Sequence, residues 1–155
     1  MAIISFWTED DKETGQTSTA IAVATQMAIQ HNKKVLLIST YESNKEIEAA
    51  YLKPQAQKTN LLSLLNLTKK SVGIESGVTG LMKIEGSNKL SPELIKDYTG
   101  IIFKDRLEVL SGYDGVETPT IDAFYVSLIK KASMVYDIVP VSYTHLRAHE
   151  TLMNL

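Results

Sequence analysis

Apolar positions fall along the chain in short blocks whose internal spacing changes from one block to the next. Residues 2–7 form an almost unbroken apolar run with the β-formers Ile3, Ile4, Phe6 and Trp7, which predicts a first strand buried on both faces. Residues 8–16 are polar and charged and predict a loop. From Thr17 the period lengthens, with Ala20, Val23, Ala24, Met27 and Ala28 recurring at helical spacing up to His31. Asn32, Lys33 and Lys34 end that pattern, and Val35-Leu36-Leu37-Ile38 follows as a second wholly apolar strand. Strand, loop, helix and strand in this order make a βαβ unit, for which a right-handed crossover is expected.

The middle of the chain is less regular. Residues 46–52 and 61–67 predict short helices on either side of a polar linker at 54–60. Residues 73–84 read as a helix interrupted by Gly77 and Gly80. Ser91-Pro92-Glu93 is a helix start, with serine as the cap and proline in the first turn. Residues 101–103 and 107–110 predict short strands, the second closed by Ser111-Gly112. Ile121, Phe124, Tyr125, Leu128, Ala132 and Val135 trace one face of an amphipathic helix, and Asp137-Ile138-Val139 opens another strand. Alternating strands and helices predict an α/β fold, a mostly parallel sheet with helices on both faces.

Composition narrows this picture without changing it. A chain of 155 residues suits one domain with a real core. Its 44% apolar and 22% charged residues exclude a disordered or collagen-like chain. The net charge of −2, with both signs interspersed, gives no global electrostatic case for nucleic acid or an anionic membrane. The absence of cysteine excludes disulfides, thiolate metal sites and cysteine nucleophiles. No apolar run reaches the length of a membrane span, and a cytoplasmic location is the default expectation.

The segment with candidate chemistry lies between the first strand and the Ala-rich helix. A phosphate loop needs glycines so that backbone N–H groups can wrap the phosphates, a lysine for the terminal phosphates, and a hydroxyl for Mg²⁺. Aligned on G-x-x-x-x-G-K-S/T, residues 10–17 keep the second glycine as Gly15 and the hydroxyl as Thr17. Asp10 replaces the first glycine and Gln16 replaces the lysine. The position, between a buried strand and a helix, is the one the motif demands.

With its flanking strands, this stretch resembles the opening of ParA/MinD-type P-loop ATPases, which carry a deviant Walker A loop, K-G-G-x-G-K-S/T. Later features fit the same family. Gly80-Leu81, Leu90, Ile95 and Leu107-Glu108-Val109-Leu110-Ser111-Gly112 resemble its stretch leading to a strand that ends near a glycine. Residues 134–139, with Tyr136-Asp137, resemble the helix end and strand that carry the Walker B aspartate. The resemblance covers residues 1–139 and implies a three-layer, Rossmann-like P-loop fold, cut short at its C-terminal side. It further implies ATP and Mg²⁺ as cofactors, bound through Lys12, Gly15, Gln16, Thr17 and Ser18, with Thr17 on the metal. A self-dimer or a protein partner is implied, and DNA is a further candidate partner.

The departures bear on activity. The family's extra lysine falls at Asp11, with Lys12 adjacent; the phosphate lysine falls at Gln16; the aspartate after the second strand falls at Ser39 or Thr40. The Walker B aspartate would lie just beyond Val139. Asp10, Asp11 and Glu13 repel phosphate, each by roughly 1 kcal/mol at about 4 Å in water and several times that near a protein surface. With these departures, the resemblance implies a nucleotide-binding protein for partition or positioning of DNA or a cellular machine, with weak or lost ATPase activity. The alternatives are a pseudo-ATPase scaffold that binds protein partners without nucleotide, and a flavodoxin-like signalling domain suggested by Glu9-Asp10-Asp11 after the first strand.

The C-terminal residues stand apart. Pro140 falls where a central strand would continue, and proline is disfavoured there. Residues 141–151, Val-Ser-Tyr-Thr-His-Leu-Arg-Ala-His-Glu-Thr, are similar at every position to the translation of a transposase adapter used in sequencing libraries. Residues 140–155 are accordingly read as a non-native tail, expected to pack only through generic contacts of Leu146 and Leu152. His145, His149 and Glu150, which otherwise mimic a helical metal site, carry no functional weight on that reading. His31 reads as a favourable charge at a helix C-terminus, Trp7 as core, Lys69-Lys70 and Lys130-Lys131 as solvated helix ends within reach of DNA, and Tyr113-Asp114-Gly115 as a turn.

Overall fold

The computed structural model describes residues 1–7, 15–40, 46–51, 77–85, 90–113 and 119–143. Strand β1 (Ala2–Phe6) leads to helix α1 (Gln16–Ile29) and strand β2 (Val35–Ser39). Helices α2 (Glu46–Tyr51), α3 (Gly77–Glu85) and α4 (Pro92–Ile95) follow, the last continuing into a 3-10 turn at Lys96–Tyr98. Strands β3 (Gly100–Phe103) and β4 (Leu107–Leu110), helix α5 (Pro119–Ala132) and strand β5 (Ile138–Ser142) complete the described chain. The short helix expected at 61–67, Lys69-Lys70, Asp114, Gly115 and everything after Tyr143 lie outside the described residues.

The five strands form one sheet in the order β1-β5-β2-β4-β3. β1, β5, β2 and β4 run parallel, and β3 is antiparallel to β4. The expected α/β architecture is therefore present. The last strand is inserted between the first two, whereas in a flavodoxin-like order the first two strands are neighbours.

Alternation along the strands sorts the core into two halves. Val35, Leu37, Leu107, Val109 and Ile138 point to α1, where Ala20, Ala24 and Ala28 are buried with no more than 1% exposure. Three alanines at four-residue spacing let the helix axis sit close to the sheet. Leu36, Ile38, Leu110, Val139 and Val141 point the other way, into α5 residues Ile121, Phe124, Tyr125, Leu128, Ile129 and Ala132 and α3 residues Val78 and Leu81. Ser91 caps α4 as expected, accepting from Leu94 N at 3.2 Å.

Several elements differ from expectation. β1 pairs only with β5 among the described strands, so its residues are exposed or half-buried, and Trp7 just beyond it is 44% exposed, not core. Gly77 is the first described residue of α3, at φ +74°, and Val78 N beside it donates to the Ser111 carbonyl at 2.9 Å, while residues 73–76 of the expected helix lie outside the described residues. An added Cβ on Gly77 would stand 2.7 Å from the Ser111 oxygen, so the chain needs glycine. His31 lies beyond the last helical residue, Ile29, and its cap, Gln30, so α1 has no basic residue in its last turn.

β5 runs on past Val139 through Pro140, Val141 and Ser142, all buried. Ile138 N donates toward Lys34 O, and Ser142 O accepts from Thr40 N, so alternate residues present their polar groups to β2. Pro140 is the alternate residue between them and has no N–H to give. The β2 pairing duly passes from Val35↔Ile138 to Ile38↔Val141, skipping the positions between, while β1 pairs with every residue of β5. Pro140 is buried in the strand all the same, and the ladder to β2 goes without the bond its N–H would have made. The segment read as tail thus begins inside a central strand.

At the N-terminal ends of the strands, Glu108 is a buried carboxylate, 8% exposed. Its Oε2 accepts from Thr99 Oγ1 at 2.8 Å and from the Tyr136 hydroxyl at 2.5 Å. Lys34 Nζ lies 4.9 Å from the centroid of the Tyr136 ring.

Candidate functional site

The parallel strands β1, β5, β2 and β4 all end on one edge of the sheet, and α1 begins above it. Gly15 is the residue before the helix, in the left-handed region at φ +73°, ψ +13°. Its carbonyl starts the helical bonding by accepting from Thr19 N at 2.9 Å and Thr19 Oγ1 at 3.0 Å. Among the described residues no side chain caps the helix, and no acidic residue occupies its first turn. The first-turn N–H groups and the positive end of the helix dipole are the donors that a helix start offers to an anion. An added Cβ on Gly15 meets nothing within 4 Å among the described residues.

Gln16 and Thr17 face the end of β5. Gln16 Nε2 donates to the Tyr143 carbonyl, and Gln16 Oε1 is buried with no hydrogen-bond partner. Thr17 Oγ1 lies 3.3 Å from Ser142 Oγ. Ser18 is exposed, while Lys12 and the acids Asp10, Asp11 and Glu13 lie outside the described residues. The structure thus brings Gly15, Gln16 and Thr17 together over the sheet edge.

Ser142 is opposite Thr17 because it shares the parity of Ile138 and Pro140, the β5 positions that face α1. It is the residue that sequence reasoning passed over, because residues 140–155 were read as a non-native tail. Alternation carried three positions further would have found it. Ser39 and Thr40 stand beside it at the end of β2: Ser39 is in register with Ser142, and Thr40 donates to Ser142 O through its N at 3.1 Å and its Oγ1 at 3.3 Å. Tyr143 N donates to Phe6 O at 2.9 Å, joining the end of β1.

Tyrosines back this polar edge. The Tyr125 hydroxyl reaches from α5 to Thr40 O at 2.7 Å and Ser39 O at 3.5 Å, and accepts from Tyr113 N at 3.2 Å. Burial pushes the Tyr143 phenol up from its ordinary range, and the charge of Asp122 pushes it in the same direction, so it stays neutral. Gln16, Thr17, Ser18, Ser39, Thr40 and Ser142 are all uncharged, so this edge offers hydroxyls, carbonyls and helix N–H groups. Among the described residues no cluster of three His, Asp or Glu could hold a metal ion, and no helix is long and apolar enough to cross a membrane.

No protein-family model matches the chain, and no curated protein matches it. Among solved structures it is similar to the crystal structure of a ParA family ATPase from Chlorobium tepidum TLS, with a TM-score of 0.66 and 14% sequence identity. The alignment covers 99% of this chain and 57% of that protein, so the chain spans little more than half of that protein's length. At this identity the likeness shows the fold, which is ParA-like.

Proposed function

We propose that this ParA-like fold serves a ParA/MinD-like protein that positions DNA or a cellular machine, binding ATP weakly and turning it over poorly or not at all. The observation that carries this reading is the start of α1: a left-handed glycine, a first turn with no side-chain cap among the described residues, and Thr17 aimed at the end of β5. Main-chain N–H groups from Gly15 to Ser18 are the donors that would hold phosphate, with Lys12 as the nearest cation in sequence and Thr17 Oγ1 as the Mg²⁺ ligand. Bound Mg-ATP would supply a chelated triphosphate. These residues can bind and orient it, but none supplies a positive charge at position 16.

The second reading, a scaffold that keeps the fold for its partners, is favoured by Gln16. Its amide is spent on the Tyr143 carbonyl, an internal partner, where a phosphate-binding side chain would point outward. Gln16, Asp11 and Ser39 each stand where the resembled family has a charge, and three such absences argue against efficient hydrolysis. The partner would be a second copy or another protein. DNA contact through Lys130-Lys131 is limited by Glu85, whose Oε2 lies 3.3 Å from Lys131 Nζ.

Titrating labelled ATP into the intact protein and into Gln16→Lys tests the site. A charge-assisted bond is roughly twice as strong as a neutral one, so the lysine variant is expected to bind about tenfold more tightly, about 1.4 kcal/mol. Equal affinity would mean that the loop holds no phosphate. Thr17→Ala, in the same assay, is expected to remove the Mg²⁺ dependence of binding while leaving the fold intact.

A further inference from the structure

We propose that Tyr125 is a positioning residue of the candidate nucleotide site, its hydroxyl holding the end of β2 and the segment after β4 in fixed relation below the start of α1. The inference rests on the nucleotide reading given above and assigns a function to a side chain that the amphipathic pattern alone marks only as core.

Tyr125 sits in the middle of α5, 4% exposed, with its ring in the larger half of the core. Packing at that position asks for a large apolar side chain, and phenylalanine would satisfy it. The hydroxyl is an added polar atom in a place that water does not reach, and it stays there only if it is bonded. One phenol has one proton to donate and lone pairs to accept. Here the proton goes to Thr40 O at 2.7 Å, and the oxygen accepts from Tyr113 N at 3.2 Å. Both partners are main-chain atoms, and they belong to the segments that leave β2 and β4.

The tether continues toward the loop. Thr40 N and Thr40 Oγ1 both donate to Ser142 O, and Tyr143 N donates to Phe6 O. The hydroxyl of one helical residue is thus joined through main-chain groups to the ends of β2, β5 and β1 in turn. Because Thr40 reaches β5 at a carbonyl, these links do not depend on which side chain stands at position 142. In an open parallel sheet, ligands bind outside the carboxyl ends of the strands. A site of this kind tolerates little looseness in its supporting shell, since errors well below 1 Å matter.

The test compares Tyr125→Phe with Ile129→Val, which trims the same buried helix face one turn further on. ATP affinity, thermal stability and amide exchange are measured for both and for the parent protein. Tyr125→Phe is expected to weaken ATP binding by about five- to tenfold, the worth of a well-placed hydrogen bond, and to speed exchange of the Tyr113 amide. Ile129→Val is expected to lose some thermal stability with ATP affinity and Tyr113 exchange unchanged. If the parent binds ATP and Tyr125→Phe binds it equally well, the positioning role is overturned and the nucleotide reading stands. If Ile129→Val weakens binding as much as Tyr125→Phe, the effect is one of general stability and the role is likewise overturned. If the parent binds no ATP, the nucleotide reading falls and takes the proposal with it.

Discussion

Gly15 holds φ +73° with open space where a Cβ would go. Replacing it with alanine meets no clash, so the cost is conformational, about 1–2 kcal/mol for a left-handed L-residue. Gly15→Ala is expected to lower the melting temperature by several degrees, as calorimetry would show. Gly77 is the contrasting case, since its cost would come from the Ser111 oxygen as well as from φ. At the far end of the sheet, burial first, and then the bond to Glu108 and its charge, push the Tyr136 phenol up from its ordinary value near 10. The folded state therefore favours the neutral phenol. Its contribution is intact below about pH 10 and is lost as pH rises from there toward the raised folded value. Tyr136→Phe is expected to flatten the alkaline fall in stability, followed by denaturant unfolding across pH 9 to 11 (about the range of the free phenol). The same change leaves Glu108 Oε2 with the bond from Thr99 Oγ1 and without the one from Tyr136, and should cost about 1–3 kcal/mol at neutral pH.

Helix α5 shows which contacts matter to an element. Its buried face carries Leu128 and Ile129 at 0% exposure, while Ser127 and Lys131 clasp Glu85 of α3 at 3.1 and 3.3 Å. The clasp is partly exposed on both sides, at 28% and 29%. Glu85→Ala is expected to cost under about 1 kcal/mol, whereas Leu128→Ala should cost about 2–5 kcal/mol; urea unfolding of the two variants would rank them. The heptad-like spacing that marked α5 was legible because helical burial is periodic. β5 was legible only to Val139, because proline is disfavoured in a central strand and residues 140–155 were read as a non-native tail. That β5 lies between β1 and β2 is a matter of strand order, which no local pattern contains.

The same reason governs the whole molecule. Fold class followed from alternating strands and helices, and the location of Gly15, Gln16 and Thr17 above the sheet followed from the strand-loop-helix order. The apolar run of β1 implied a strand covered on both sides, yet its residues are half-open because β5 is its sole described neighbour. Ser142 and Tyr125 reached the site through pairings across more than 80 positions of chain, and such pairings leave no spacing to read.

That half-open strand has an optical consequence. The chain contains a single tryptophan, Trp7, which stands directly after β1 and is 44% exposed. Its indole emission is therefore the signal of one place, the mouth of the candidate site, with no second indole to dilute it. The spectrum should be red-shifted and open to acrylamide quenching in the folded protein. Adding Mg-ATP should shift it or shield it from quencher, and the Gln16→Lys variant should reach that end point at lower ATP. A spectrum that ignores nucleotide in both proteins would count against any ligand at this end of the sheet.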